Sequence, residues 1–286
     1  RMGEEIRTYY CDSEFGIEVC HFQQIKHDFP IHFHEYYIVG AIENDCRETP
    51  WEEREILMEL VYDKKPYPLR AGDILLCNPY DCHSCRHLGN GYYSYYNVAI
   101  RPDVMRNVLQ CIRGREALPD FSRQVIQNDE LQCLVREMYE AVKGNEGRFL
   151  KEELLFSIVD TLFEQNAGQG AEWEETGVSL DCICAYIEEH FDSHMDLDML
   201  GGMFGYSKYH LIRVFSREKG ISPHGYLESI RIKRAKLLLR EGCAPGIAAQ
   251  KTGYYDQSHF TKVFKRIVGL TPRQFIRYNR KPLPRI

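Results

Sequence analysis

The sequence lacks several features that mark whole classes of proteins. It contains no apolar run of the roughly 18 residues that a helix needs to cross a bilayer. Its first residues do not follow the charged, apolar and small-residue order of a secretory leader. Its 11 cysteines show no spacing typical of a secreted disulfide framework. From these absences we expect a cytoplasmic protein, without membrane contact, whose cysteines stay reduced.

Acidic residues are scarce at the C-terminal end. From Lys208 onward, 79 positions hold 18 Lys and Arg residues and only four acidic residues. This part therefore carries a formal charge of +14, whereas the whole chain carries −6. A basic segment on an otherwise acidic chain predicts a polyanionic partner for that segment alone.

Hydrophobic patterning divides the 286 residues into two expected domains. Residues 1–101 are rich in strand-like segments such as Glu35–Ile42 and Ser94–Ile100, which predicts a small β-barrel. From Pro102 the apolar residues recur at helical spacing, with two stripes before residue 164. Residues 165–177 are polar and glycine-rich, as expected of a linker. We therefore expect an α+β multidomain chain with an N-terminal domain over 1–164 and an all-α domain over 178–286.

A repeat in the C-terminal part gives the clearest indication of function. The segment VFSREKGISPHGY begins at Val214, and VFKRIVGLTPRQF begins at Val263, 49 residues later. Each copy begins within a capped helix that itself follows a short helix and a glycine turn. This order is the arrangement of a helix-turn-helix unit. The first unit is predicted as Leu197–Phe204 and a helix from Lys208 to Lys219, and the second begins with Ile247–Thr252.

The helix between the two copies, predicted from Ser222 to Arg240, sets their separation. About 18 residues span roughly 27 Å at 1.5 Å per residue, close to the ~34 Å of one turn of B-DNA. Two recognition helices held at this separation can enter successive major-groove segments of one duplex. The charge, repeat and capping residues agree in predicting a DNA-binding domain.

The residues from GYSKYHLIRVFSREKG to TPRQFIRY, within about Val178–Tyr278, resemble the AraC/XylS family of bacterial transcription regulators. The resemblance implies a seven-helix DNA-binding domain and a cupin-like N-terminal domain that binds an effector or mediates dimerisation. By position it implies base contacts from the two recognition helices: Lys208, Tyr209, Ile212, Arg213, Gln257, Ser258, His259 and Lys262. We expect phosphate contacts, which position a protein without reading sequence, from these residues: Lys219, Arg231, Lys265, Arg266 and Arg273.

Three histidines in the N-terminal domain resemble those of a cupin barrel. His32 and His34 alternate on an expected strand and so face one side, and His83 follows on a later strand. Three imidazoles are a candidate divalent-metal set, but no Glu follows His34 at the spacing usual in metal cupins. We expect no cofactor, and assign the histidines to structure or to a ligand pocket. A zinc role for the Cys82–Cys85 pair is a weaker alternative.

Tyrosines near residue 95 complete the expected effector pocket. Tyr93 and Tyr95 face one side of a predicted strand, and aromatic side chains with polar ends suit a sugar or an aromatic effector. The expected pocket residues are His32, His34, Tyr36, His83, Tyr93 and Tyr95.

Together these patterns predict a non-enzymatic transcription regulator that responds to a small molecule. Its expected partners are double-stranded operator DNA, the effector, a second copy of the chain and, as a candidate, RNA polymerase. We expect a bacterial cytoplasmic location at the nucleoid. Two alternatives stay open: a metal-dependent cupin enzyme or metal sensor fused to a DNA-binding domain, and a constitutive DNA-binding protein whose N-terminal domain only dimerises.

Overall fold

The structure, a computed structural model, describes residues 5–43, 48–89, 91–114, 118–166 and 180–279. Contacts divide the chain into two units, 1–172 and 173–286. The expected linker at 165–177 lies outside the described residues, except for Gln165 and Asn166, which end a helix.

The described strands of the N-terminal unit form two sheets, both antiparallel. Their bounds are β1 Ile6–Asp12, β2 Ile17–Ile25, β3 Phe29–His32, β4 Tyr37–Ile42, β5 Ile56–Tyr62, β6 Lys65–Arg70, β7 Asp73–Cys77, β8 His83–His87, β9 Tyr93–Ile100 and β10 Val125–Gln127. One sheet has the order β1-β2-β9-β4-β7-β10, and the other has the order β3-β8-β5-β6. A short 3-10 helix, Trp51–Glu53, precedes β5. The expected β-rich N-terminal domain is thus confirmed.

The central strands are buried because both of their faces are covered. Every residue of β4 is buried, and this strand lies between β9 and β7. Helix α2, Asp129–Lys143, packs against β4 and β9 on one face. Side chains of both sheets, including Ile38, Leu60 and Leu69, meet in one apolar cluster. Burial of such side chains is the dominant favourable contribution to folding.

Three helices accompany the sheets: α1 Pro102–Arg113, α2 and α3 Arg148–Asn166. The two apolar stripes predicted from the sequence correspond to α2 and α3. Helix α1 and strand β10 were not predicted as separate elements. Because β10 pairs with β7, the larger sheet extends beyond the expected barrel limit at residue 101. A three-residue strand carries too little periodicity to be recognised in a sequence.

The described part of the C-terminal unit is entirely helical. Its seven helices are α4 Leu180–Glu189, α5 Leu197–Phe204, α6 Lys208–Lys219, α7 Pro223–Arg240, α8 Pro245–Lys251, α9 Gln257–Val268 and α10 Pro272–Asn279. Helices α5 and α6 have the predicted bounds. Helix α8 begins two residues earlier than predicted, at Pro245, whose fixed φ suits the first position of a helix.

Each helix-turn-helix unit packs its second helix on its first through apolar side chains. In the second unit, Phe260, Val263 and Phe264 of α9 are at most 2% exposed and cluster with Ala248 of α8 and Ile232 of α7. The all-α C-terminal domain expected from the sequence is confirmed. Among the described residues, every helix is too short or too polar to span a lipid bilayer.

Candidate DNA-binding surface and sensor cleft

Helices α6 and α9 begin in the same way. Ser207 accepts a hydrogen bond from the backbone N–H of His210 at 3.2 Å, and Asp256 accepts one from His259 at 2.8 Å. Gly205, at φ +74°, ends α5 in the left-handed conformation that glycine adopts without strain. These caps fix where each second helix starts, and thereby which of its side chains face outward.

Two residues expected to contact bases are buried in the helical core. Tyr209 is 2% exposed and Ile212 is 6% exposed, so neither side chain is available to a groove, and these two predictions are wrong. The residues share the inward side of α6 with Leu211 and Phe215. Packing of the neighbouring helices covers a wider part of α6 than the apolar stripe alone indicated.

The outward side of α6 presents basic residues. Lys208 forms an ion pair with Asp198 of α5 at 2.7 Å and is partly exposed. Arg213 is half-buried and donates to the Tyr209 hydroxyl at 3.4 Å. Arg217, one turn further on, is 61% exposed. The sequence reasoning missed Arg217, although its i+4 spacing from Arg213 places both on one helix face.

Helix α9 offers a more continuous polar face. Gln257, Ser258 and Lys262 are exposed, as is Lys265, while His259 is half-buried. Spacing of three and four residues places Ser258, Lys262 and Lys265 side by side. Amide, hydroxyl and ammonium groups at these positions are able to bond to base edges and phosphate oxygens. Tyr255, just before the cap, is fully exposed and was not singled out from the sequence.

Arg231 is an internal residue rather than a surface cation. Its Nε donates to the carbonyl of Phe191 at 2.7 Å, and its Nη2 donates to that of Ser193 at 3.1 Å. The side chain is 12% exposed, and its Nη1 lies 3.9 Å from a carboxylate oxygen of Glu228. The expectation that Arg231 contacts phosphate is therefore wrong, because its donors are used within the domain.

The other expected phosphate contacts lie at the surface. Lys265, Arg266 and Arg273 are exposed. Lys219 is also exposed and forms an ion pair of 2.8 Å with Asp181. Exposed ion pairs of this kind contribute little to stability, so Lys219 can exchange its partner for a phosphate group at small cost.

The structure brings the three expected histidines of the N-terminal unit together. Strand β3 pairs with β8 so that His32 lies opposite His83. His34 lies two residues beyond the end of β3. It is therefore not part of the strand, in contrast to the expectation from the sequence. One ring nitrogen of each histidine lies within 4.8 Å of those of the other two. Among the described residues, this set alone has the proximity of metal ligands, and it contains no cysteine.

Burial favours the uncharged form of two of the three histidines, His34 and His83. Burial and the neighbouring His32 and His83 lower the pKa of His34 to about 4. Burial likewise lowers the pKa of His83. The buried Cys77 thiol lies 3.7 Å from Nε2 of His83, and burial raises the pKa of this thiol, which keeps it protonated. Neutral imidazoles are the form that accepts hydrogen bonds and binds metals.

The expected tyrosines lie in the core of the N-terminal unit or pack against it. Tyr93 is 3% exposed and stacks on Tyr95 with ring centroids 5.9 Å apart. Tyr93 belongs to the apolar cluster between the sheets, and the partly buried Tyr95 and Tyr36 pack against this cluster. None of the three lines the cleft described next. Their assignment to the effector pocket is therefore not supported by this cleft, since barrel packing accounts for their positions.

A cleft of about 670 Å³ with both polar and apolar lining residues opens beside the histidine cluster. It is bordered by the β5–β6 turn, the β7–β8 loop and a segment that follows α1. Of the six expected pocket residues, only His83 lines it. The other lining residues are Ile31, Val61, Tyr62, Asp63, Lys64, Asn78, Asp81, Cys82, Ser84, Asp120, Phe121, Ser122 and Gln124.

Asn78 organises the carboxylates of this cleft. Its side-chain nitrogen lies 2.8 Å from Oδ1 of Asp120 and 3.2 Å from Oδ2 of Asp81, and its oxygen accepts from the backbone N–H of Phe121 at 2.8 Å. Burial, and then the nearby charge of Asp120, raise the pKa of Asp81. No local pattern in the sequence indicates this arrangement, because Asp120 lies 39 residues beyond Asp81 in the chain.

Two helix-turn-helix units in a basic helical domain, joined to a two-sheet domain with a cleft, define a ligand-binding transcription regulator. The model of the AraC-like ligand-binding domain matches residues 58–159, and that of a helix-turn-helix domain matches residues 200–278. The chain is 36% identical over 260 residues to the uncharacterized HTH-type transcriptional regulator YbfI of Bacillus subtilis (strain 168), covering 90% of each. The chain belongs to the AraC/XylS family of transcription regulators, as its sequence motifs indicated.

Other similar proteins are more distant. The HTH-type transcriptional activator RhaS of Escherichia coli O81 (strain ED1a) is 25% identical over 255 residues, which cover 86% of this chain and 87% of that protein. A crystal structure of ToxT from Vibrio cholerae O395 is 13% identical, with a TM-score of 0.35, over 93% of this chain and 99% of that one.

Proposed function

We propose that the chain binds operator DNA through α6 and α9 and that a small polyhydroxylated molecule in the N-terminal cleft controls this binding. The proposed DNA binding rests on the presence of two capped helices, α6 and α9. Each of them is buried on its apolar side and basic on its outer side. The linking helix α7 has 18 residues, so it spans roughly 27 Å. That length suits two recognition helices in successive major-groove segments.

Exposure divides the basic residues into proposed roles. Those on the outer faces of α6 and α9 read bases, and those around the helix ends bind phosphate. The proposed base contacts are Lys208, Arg213, Arg217, Gln257, Ser258, His259 and Lys262. The proposed phosphate contacts are Lys219, Lys265, Arg266 and Arg273.

The DNA proposal is tested by selecting duplexes from a random library with the full chain. We expect two recurring segments with centres about one helical turn, 10–10.5 base pairs, apart. The logarithm of the binding constant of a selected duplex should fall with the logarithm of salt concentration, by ~0.9 for each phosphate neutralised. A binding constant that does not change with salt, or a selection without a recurring sequence, would contradict the proposal.

The chemistry of the cleft supports a neutral polyhydroxylated effector. Among the described lining residues, the carboxylates of Asp63, Asp81 and Asp120 accompany one ammonium group, that of Lys64. Carboxylates accept hydrogen bonds from hydroxyl groups, and the Asn78 amide both donates and accepts them. The negative charge of the carboxylates disfavours anionic ligands. Of the two classes expected from the sequence, this lining favours a sugar over an aromatic compound.

A thermal-shift panel of sugars, polyols, aromatic acids and sugar phosphates tests the effector. We expect a neutral sugar or polyol to raise the melting temperature Tm and to change the DNA affinity. Asp120→Asn should weaken this ligand, whereas Glu137→Gln, which changes an exposed carboxylate on α2, should not. If no panel member binds, the alternative of a purely dimerising domain gains support.

The remaining parts of the proposal follow from membership of the regulator family. We propose that the chain is not an enzyme, acts as a homodimer at the bacterial nucleoid, and contacts RNA polymerase when bound to DNA. We also propose domain limits at 1–164 and 178–286. Sedimentation of the full chain with and without DNA tests the dimer: one chain per complex would refute it.

A further inference from the structure

The histidine cluster has the construction of a metal site. Pairing of β3 with β8 fixes His32 opposite His83, and their ring centroids lie 4.5 Å apart. The His34 ring lies 4.8 Å from that of His32 and 5.2 Å from that of His83. Three imidazoles, from β3, from the residues that follow β3 and from β8, thus lie together in one cluster.

Backbone carbonyls orient two of the three rings. Nδ1 of His32 lies 2.8 Å from the carbonyl oxygen of Pro30, and Nδ1 of His83 lies 3.1 Å from that of Asp81. A carbonyl oxygen only accepts hydrogen bonds, so Nδ1 carries the hydrogen in both rings. The lone pair of each neutral ring is then on Nε2. Metal-binding histidines are commonly oriented in this way, by donating their other N–H to a carbonyl or carboxylate.

We propose that His32, His34 and His83 bind one divalent transition-metal ion, with zinc the best match to an all-imidazole set. Three nitrogen ligands and one open position are the arrangement of non-structural zinc sites, with Zn–N distances of about 2.0–2.1 Å. Tetrahedral geometry at those distances separates the nitrogens by roughly 3.3 Å. Metal binding therefore requires the three nitrogens, which now lie up to 4.8 Å apart, to approach one another.

The proposed site adjoins the effector cleft, because His83 lines both. The open metal position would accept a water molecule or an oxygen atom of a ligand. The cluster contains no carboxylate, which distinguishes it from the two-histidine, one-carboxylate set of non-haem iron sites. Metal binding is independent of the proposed DNA contacts, so either proposal can fail without the other.

The test uses the full chain, purified without a metal-affinity step and treated with a chelator. Titration with Zn²⁺ against a chromophoric competitor should give one ion per chain, and Tm should rise by several degrees on binding. Because loss of an outer partner alone weakens metal binding 10–100-fold, His34→Gln should weaken it by at least about 100-fold. His27→Gln, which changes a histidine outside the cluster, should leave the affinity unchanged. Equal zinc affinity of the wild type and His34→Gln would overturn the proposal.

A second measurement does not depend on any variant. X-ray absorption of the zinc-loaded wild-type chain should show nitrogen or oxygen neighbours at about 2.0–2.1 Å with the outer-shell scattering of three imidazoles. Sulfur neighbours at about 2.3 Å, or fewer than two imidazoles, would overturn the assignment even if zinc binds.

Discussion

The Tyr254 hydroxyl donates a hydrogen bond of 3.2 Å to the carboxylate of Glu228, a residue that is 2% exposed. Tyr254 lies between α8 and α9, and Glu228 lies on α7. The same carboxylate lies 3.9 Å from a guanidinium nitrogen of Arg231 and 4.0 Å from one of Arg266 on α9. A buried carboxylate on the linking helix thus connects that helix to the second helix-turn-helix unit.

Arg231 connects α7 to the segment that precedes the first helix-turn-helix unit. Its guanidinium bonds to the carbonyls of Phe191 and Ser193, which lie in the connection between α4 and α5. Two polar side chains of α7, those of Glu228 and Arg231, therefore bind this helix to the segments before and after it in the chain. We infer that Glu228 and Arg231 hold the two recognition helices at a fixed separation.

Glu228→Ala should lower the free energy of unfolding of the helical domain by about 3 kcal/mol, because it removes one partner of a buried charged pair. Tyr254→Phe should cost about 1.5 kcal/mol, the contribution of one hydrogen bond to a charged group. Urea denaturation followed by circular dichroism measures both. Glu241→Ala, at an exposed carboxylate that ends α7, should stay within about 0.5 kcal/mol of the wild type. Equal effects of the two alanine variants would contradict the role of Glu228.

Arg231→Lys should lower Tm and leave the salt dependence of DNA binding unchanged. Lysine keeps the positive charge but cannot reproduce the guanidinium bonds to two carbonyls. Lys265→Ala should instead keep Tm and reduce the salt slope by about 1. Fluorescence anisotropy of a selected duplex over a salt series separates the two outcomes. A reduced slope in Arg231→Lys would restore the assignment of Arg231 to phosphate.

Gln257→Ala and Lys262→Ala should differ in how they affect sequence choice. Loss of a side chain that bonds to a base edge costs about 1–3 kcal/mol at one base position and relaxes the preference there. Competition binding with single-base variants of the selected duplex measures this effect. We expect Gln257→Ala to relax one position, and Lys262→Ala to weaken all duplexes and relax a neighbouring position. Lys143→Ala, which removes an exposed cation of the N-terminal unit, is the control and should do neither.

Asp81→Asn should stabilise the N-terminal unit at neutral pH. Burial and Asp120 raise the pKa of Asp81 in the folded state above its unfolded value of about 3.9. The contribution of Asp81 to stability is therefore fully present below pH ~3.9 and is lost as the pH rises through the raised folded pKa.

Tm measured between about pH 4 and pH 7 tests this sign. The difference between Asp81→Asn and the wild type should grow in favour of the variant as pH rises. Glu137→Gln should show no such trend, since its carboxylate is exposed on α2. A variant less stable than the wild type at pH 7 would contradict this prediction. It would show that the hydrogen bond between Asn78 and the Asp81 carboxylate stabilises the fold more than repulsion from Asp120 destabilises it.

The helix-turn-helix bounds were predictable because their signals are local. Ser207 and Asp256 are cap residues, Gly205 permits a left-handed turn, and the apolar stripe of each helix follows a spacing of three and four residues. Each signal acts within one or two helical turns, so it is recognisable without the rest of the fold.

The exposure of single residues was less predictable. Tyr209 and Arg231 are polar residues at positions that the helix period leaves ambiguous. Tyr209 is buried in the helical core, and Arg231 is bonded to the connection between α4 and α5. The cleft combines Asn78 with Asp120, which lies 42 residues away. A pairing at that distance depends on the path of the whole chain, and no local pattern encodes it.

By itself the sequence determined the family, the two-part organisation, the recognition helices and the histidines of interest, because caps, periodicity, charge and motif spacing are properties of neighbouring residues. Only the tertiary structure decided that Tyr209, Ile212 and Arg231 are internal. It also decided that three histidines meet within 4.8 Å, because strand register and helix packing, which are long-range, set burial and convergence.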